Sequence, residues 1–170
     1  MQRMQDEGKG KTMLAAPFCR ERMVFFVIEQ DTVKLLRECD SGVKMGVSSI
    51  EDVMDSVNSD TLRALLHTCK KEHEKLDTEI RCALDRFGDD GKRPNPIAKG
   101  MSRVKTEMKL AMHDSDHTVA DLMTDGCNMG VKSLSRYLNQ YRAADEKSKD
   151  IAKRLIHLED QLATDMRAYL

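Results

Sequence analysis

Two segments of this chain repeat one short pattern of glycines and apolar residues. Residues 42–50, Gly-Val-Lys-Met-Gly-Val-Ser-Ser-Ile, match residues 126–134, Gly-Cys-Asn-Met-Gly-Val-Lys-Ser-Leu, in both glycines, in Met-Gly-Val and in one serine. The offset is a whole number of heptads, so apolar positions that recur every three or four residues keep one register in both segments. The repeat predicts two related helical hairpins.

Apolar residues follow an alternating three- and four-residue spacing in four long segments, which predicts four amphipathic helices and an all-α fold. Polar turn residues are expected to start the helices, at Asp31, Asn58-Ser59-Asp60, Asp114-Ser115-Asp116 and Arg142 to Asp145. Gly88 is expected to end the second helix. The buried stripe of that second helix is predicted to comprise Leu62, Leu66, Cys69, His73, Leu76, Ile80, Ala83 and Phe87.

The connection between the second and third long helices is far longer than the roughly 2–8 residues that join neighbours in a simple bundle. It starts with a cluster of Gly, Asp and Pro, and Asn95-Pro96 predicts a short extra helix that ends near His113. A connection of this length can return along the bundle. We therefore expect the second and third long helices to run parallel.

The paired glycines need a packing reason, because glycine costs about 1 kcal/mol relative to alanine inside a helix. Gly42 and Gly46 lie at the centre of the first helix, and Gly126 and Gly130 at the centre of its counterpart. We expect these two helices to cross at the four glycines, with their backbones in close approach.

The two hairpins with a helical crossover resemble the ferritin-like superfamily, and in particular small bacterial ferritin-like domains of unknown function, over residues 29–170. The resemblance implies a ferritin-like four-helix bundle. Enzymes of that superfamily bind two iron ions with four Glu and two His, the latter in Glu-x-x-His. Here Lys70 precedes His73 and Arg154 precedes His157 at that spacing, and Glu159 lies off the predicted apolar stripe. No intact di-iron site is predicted.

His73 is the one polar side chain on the predicted stripes, with Cys69 one turn away and Cys127 near the same level. An imidazole and two thiols are a partial ligand set for zinc or another transition metal. The simpler interpretation, which we favour, is a core histidine bonded to a backbone carbonyl or a hydroxyl, with the cysteines as small apolar fillers. In that case His73→Leu should be tolerated.

Composition excludes some classes of partner. A net charge of −1 gives no reason to expect nucleic acid or an anionic membrane, and no apolar run approaches the roughly 20 residues of a membrane span. Five Cys without a Cys-x-x-Cys motif favour a reducing cytoplasm. Residues 1–28 lack helical periodicity. We predict that they form a disordered N-terminal extension and not a signal peptide.

These features predict a cytoplasmic, non-catalytic ferritin-like protein with a structural or interaction role. We assign no catalytic residue and expect no cofactor. The alternative is a metal-binding protein with a non-standard site at His73, Cys69 and Cys127. A homo-oligomer is left open, and the sequence identifies no protein partner.

Overall fold

The computed structural model describes residues 18–92 and 115–170, with side chains from Arg22 onward. Four α-helices make up nearly all of these ranges: α1 (Phe18–Val53), α2 (Asp60–Asp85), α3 (Asp116–Gln140) and α4 (Glu146–Met166). Short 3-10 turns follow α1 at Met54–Ser56 and α4 at Arg167–Tyr169. The described ranges contain no strand. The predicted all-α class is confirmed.

Side-chain caps start three of the helices in the predicted turns. The caps are Ser59 Oγ, which accepts from the Leu62 N–H at 3.4 Å, Ser115 Oγ, which accepts from Thr118 at 3.2 Å, and Asp145 Oδ1, which accepts from Ser148 at 2.7 Å. Each such cap typically contributes about 1 kcal/mol. Past the end of α2, Gly88 has a φ of 63°, the left-handed conformation that stops a helix and that glycine adopts without strain.

Hydrogen bonds at the two ends of the bundle fix the helix directions. At one end, the N–H groups of Asn58 and Ser59, which follow α1, donate to the Asp116 carboxylate at the start of α3. At the other end, the Ala143 N–H, just past α3, donates to Asp31 in α1. Helix α1 therefore runs antiparallel to α3 as well as to α2, which makes α2 and α3 parallel.

A bond between the hydroxyls of Thr61 and Tyr169, 3.1 Å apart, places the start of α2 beside the end of α4. These two helices are antiparallel neighbours. The end of α2 and the start of α3 lie at opposite ends of the bundle, as expected from the length of the connection between them. The predicted extra helix between Pro96 and His113 lies outside the described residues.

Apolar side chains from all four helices fill the interior in two clusters. One cluster lies near the α1–α2 turn and includes Ile50, Leu62, Leu66, Val119 and Met166; the other includes Leu36, Val43, Ile80, Leu134 and Leu155. The predicted stripe of α2 is confirmed from Leu62 to Ile80. Beyond Ile80, Leu84 is buried and Ala83 only partly so, and Phe87 is exposed because the helix already ends at Asp85.

Helix α1 begins much earlier than predicted. Asp31 is not its N-cap, because the helix already starts at Phe18. Residues 18–28 are therefore helical and not disordered, while residues 1–17 lie outside the described part. The prediction failed because Met23–Ile28 is apolar on every side of the helix and so shows no periodic stripe. None of the described helices is long and apolar enough to cross a membrane.

Candidate functional site

The centre of the bundle holds a buried pair of ionisable side chains, His73 on α2 and Glu159 on α4. His73 has no exposed surface and Glu159 is 8% exposed. Nε2 of His73 lies 3.1 Å from Oε1 of Glu159. The other ring nitrogen, Nδ1, donates to the backbone carbonyl of Cys69 at 3.0 Å, since a carbonyl oxygen can only accept. Both imidazole nitrogens are thus bonded inside the protein.

The carbonyl partner predicted for His73 is present, but the prediction for Glu159 is wrong. Glu159 does not lie off the apolar stripe: it is buried together with Leu155 and Leu162, whereas Leu158 is only partly buried. The spacing from Leu155 through Glu159 to Leu162 also follows the four-then-three pattern of a bundle stripe. The spacing signal was present in the sequence, but the expectation of an apolar interior placed Glu159 outside the stripe.

Two of the four repeated glycines make room for this pair. A Cβ atom added to Gly46 in α1 would lie 2.7 Å from Nε2 of His73 and 3.4 Å from Oε1 of Glu159. A Cβ atom on Gly130 in α3 would lie 3.3 Å from the carboxyl carbon of Glu159. The backbones of α1 and α3 therefore press against the pair from two sides, and a larger residue at position 46 would displace it.

The other two glycines have no such role. A Cβ atom on Gly126 would meet nothing within 4 Å among the described residues, so its predicted place in a helix crossing is wrong. One on Gly42 would make ordinary contacts with the side chains of Leu155 at 3.6 Å and Leu134 at 3.8 Å. The expected meeting of two backbones at the four glycines is therefore not found. The nearest atoms to Gly42, Gly46 and Gly130 belong to side chains of α2, α3 and α4.

The contact between His73 and Glu159 holds one proton. Nδ1 already donates to a carbonyl, so Nε2 and a carboxylate oxygen can bond only with a proton between them. Burial lowers the pKa of His73, but hydrogen bonds to Cys69 and Glu159, with the negative charge of Glu159, outweigh burial and raise the pKa to about 10. At neutral pH the His73 ring is therefore an imidazolium.

The two cysteines predicted beside His73 lie next to this pair. Sγ of Cys69 is 3.5 Å from Nδ1 of His73. Cys127 is buried on α3, and its thiol pKa is raised first by burial and then by the charge of Glu159 and a hydrogen bond to it. The structure therefore brings together His73, Cys69 and Cys127 as predicted and adds Glu159. A thiol with a raised pKa stays protonated and is a poor nucleophile.

This cluster differs from the ligand set of a di-iron centre. Such a centre takes four carboxylates and two imidazoles, whereas in the described part of the chain Glu159 is the carboxylate that contacts His73 and Cys127. Within residues 18–92 and 115–170, no group of three or more His, Cys, Asp and Glu side chains is arranged to hold a metal ion. A di-iron centre does not fit the residues at this position.

A groove of about 390 Å³ runs along the outer surface between α2 and α4. Its lining includes Cys69 but neither His73 nor Glu159. A small molecule in this groove would contact the Cys69 side of the cluster and would not reach the ion pair.

No family model, curated protein or solved structure matches this chain. The chemistry of the cluster therefore rests on its own geometry, and the resemblance to ferritin-like proteins stays a prediction.

Proposed function

We propose that this protein is a ferritin-like bundle without a di-iron centre and that its role is structural or interactive, not catalytic. The order and direction of the helices support the architecture: α1 with α2 and α3 with α4 form two hairpins, and α2 and α3 run parallel. The related glycine patterns of α1 and α3, both at the level of the buried pair, support a common origin of the two hairpins.

One observation carries the non-catalytic interpretation: in the central cluster, the groups that could do chemistry already bond one another inside the protein. Both nitrogens of His73 are occupied, one by the Cys69 carbonyl and one by Glu159. A general base must instead reach a proton on the substrate. Cys127, with its raised pKa, is no more available. The pair accordingly acts as a structural link between α2 and α4.

An exposed apolar segment supports an interaction role. Residues 23–27 of α1, Met-Val-Phe-Phe-Val, are 44% to 73% exposed. A helix that is apolar all round is normally covered, and a contiguous exposed apolar surface typically marks a binding site. We therefore propose that the start of α1 binds another macromolecule.

The inward position of Glu159 favours one alternative function, that of a metal-binding protein with a non-standard site. It adds a carboxylate to His73, Cys69 and Cys127, so four side chains with metal-binding atoms meet in one place. Binding would require the proton between His73 and Glu159 to leave.

Metal analysis of the untagged protein tests the proposal. The purified protein is incubated with zinc or with ferrous iron, desalted and analysed, with a His73→Leu/Glu159→Leu double variant as the matched control. We expect no stoichiometric metal in either protein. An equivalent of metal that the wild type retains and the double variant loses would overturn the proposal in favour of the alternative.

A further inference from the structure

Helix α1 projects beyond the end of the bundle. The neighbouring turn between α3 and α4 reaches α1 at Asp31 and Thr32, which accept hydrogen bonds from the N–H groups of Ala143 and Asp145. Helix α1 starts at Phe18, so residues 18–30 continue past this point for roughly 20 Å at 1.5 Å per residue. From Arg22 to Gln30, every side chain is exposed except Ile28, which is partly buried.

The core-facing side of α1 continues into this projection. Phe25 lies seven residues before Thr32 and so on the same side of the helix. Thr32 is 1% exposed, whereas Phe25 is 73% exposed, because no other described helix reaches its level. The core-facing side of α1 is therefore uncovered in the projection by any other described helix. A second helix laid beside the projection would cover this side as α2 and α3 cover it lower down.

The charges that flank the apolar segment indicate which kind of helix can lie beside it. Arg22 precedes Met23–Ile28 and Glu29 follows it, and both are exposed. When two copies of the segment lie antiparallel, with the symmetry axis between Phe25 and Phe26, the apolar residues face each other. Arg22 of each copy then lies level with Glu29 of the other. A parallel pair would place like charges together, which is unfavourable.

We infer that residues 22–29 form a self-association surface through which two copies of this chain pair their α1 projections antiparallel. This inference rests on the proposed interaction role and names its partner. The contact is isologous, since one patch meets itself across a two-fold axis. Four Phe side chains at ~150–250 Å² each, 73% exposed at Phe25 and 58% at Phe26, can bury on the order of 400–650 Å². With Met and Val added, the area does not exceed the ~1,200 Å² at the lower limit of stable interfaces, as expected for a dimer of modest affinity.

Sedimentation velocity of the full chain over a range of concentrations tests the stoichiometry. We expect wild-type protein to pass from monomer to dimer with increasing concentration. Phe25→Asp should remain monomeric, with an unchanged circular dichroism spectrum. Met129→Asp is the matched control, because Met129 is 68% exposed on α3, away from the surface, and it should dimerise like wild type.

A charge swap tests the antiparallel pairing. Arg22→Glu and Glu29→Arg should each weaken dimerisation by about three- to tenfold, as expected for the loss of two exposed ion pairs. The variant with both substitutions should regain wild-type affinity. If the double variant is no better than the single ones, or if the assembly is not a dimer, the inference is wrong.

Other partners that could cover the segment would give different results in these experiments. A wild type that stays monomeric but binds phosphatidylcholine vesicles, with binding lost in Phe25→Asp, would overturn the second copy as partner and keep the interaction role. A monomeric wild type whose melting temperature falls in Phe25→Asp would show that the same chain covers the segment. That result would overturn both the dimer and the interaction role.

Discussion

The centre of the bundle and the start of α1 depart from the usual distribution of side chains in opposite directions. In the centre, the charged pair His73 and Glu159 is buried; at the start of α1, Met23–Val27 is exposed. The buried pair has its hydrogen-bond partners inside the chain, and Gly46 and Gly130 leave space for its side chains. The exposed segment has no covering helix among the described residues. We propose that the first exception contributes to folding and the second to contacts with another molecule.

The buried pair need not raise the stability of the fold. Desolvation of two charges can exceed their attraction, so apolar residues of similar volume are often as stable as a buried ion pair. Removal of one member is different, since it leaves a charge without its partner. We propose that His73 and Glu159 specify how α2 and α4 align, a hypothesis that the following variants test.

The largest effect is expected from single substitutions in the pair. His73→Leu removes the positively charged partner of the buried Glu159 side chain, and Glu159→Leu leaves Nε2 of His73 without its hydrogen-bond partner. Each should lower the free energy of unfolding in urea by about 3–5 kcal/mol. The sequence alone suggested that His73→Leu would be tolerated; the carboxylate partner reverses that prediction.

The double variant His73→Leu/Glu159→Leu is the control for the single ones. It should unfold within about 1–2 kcal/mol of the wild type, because no polar group remains unpaired. If it loses as much stability as both single variants combined, the two residues are not coupled and the pair is not a unit.

The next largest effect is expected at the glycines, which differ in their distance from the buried pair. Gly46→Ala puts a methyl group where His73 lies and should destabilise by about 1–3 kcal/mol. Gly126→Ala, at another glycine of the repeated pattern but in open space among the described residues, should stabilise by up to about 1 kcal/mol. Urea midpoints measure both. Equal effects for the two variants would mean that clearance at the pair is unimportant.

The pH dependence of stability should be specific to the centre. The folded-state pKa of His73, about 10, lies above its ordinary 6.5. Its contribution is therefore complete below pH 6.5 and is lost as the pH rises toward 10, by at most about 1.4 kcal/mol per pH unit. The raised pKa of Cys127 acts in the same direction, but only above its ordinary 9.0.

The double variant without His73 and Glu159 isolates this contribution. Its free energy of unfolding should depend less on pH than that of the wild type between pH 6.5 and 9.0, below the range of Cys127. Parallel curves for the two proteins would show that His73 is not charged in the folded state.

The smallest effect is expected at the exposed start of α1. Phe26→Ser should change the free energy of unfolding by less than about 0.5 kcal/mol in dilute protein, since the side chain is mainly in solvent. Leu36→Ala, on the same helix but in the core, should cost about 2–5 kcal/mol. A comparable loss in both variants would show that the projection is packed within its own chain.

The features that the sequence predicted correctly depend on local signals. Ser59 and Ser115 cap helices because a hydroxyl at that position bonds the free N–H groups, and the stripe from Leu62 to Ile80 follows from helical periodicity. The place of His73 inside the bundle followed from the same stripe. These signals need no knowledge of the rest of the fold.

The features that could not be predicted from the sequence depend on tertiary contacts. Glu159 is an unfavourable residue for an interior until His73 is known to face it across the bundle, because charged groups are rarely buried unless they are paired. The early start of α1 was missed because a helix without bundle partners on it shows no amphipathic pattern. The glycines were correctly identified as packing positions in two cases, Gly46 and Gly130, but their neighbours proved to be side chains.

Whether His73 is charged in the folded protein distinguishes most directly between a fixed structural pair and a chemically available imidazole. Nitrogen NMR of the ¹⁵N-labelled histidine side chains measures it in the intact protein. At a pH of about 8, above the ordinary pKa of histidine, both ring nitrogens of His73 should be protonated, with no titration near 6.5. A neutral His73 at that pH, titrating near 6.5 like an exposed histidine, would contradict the account.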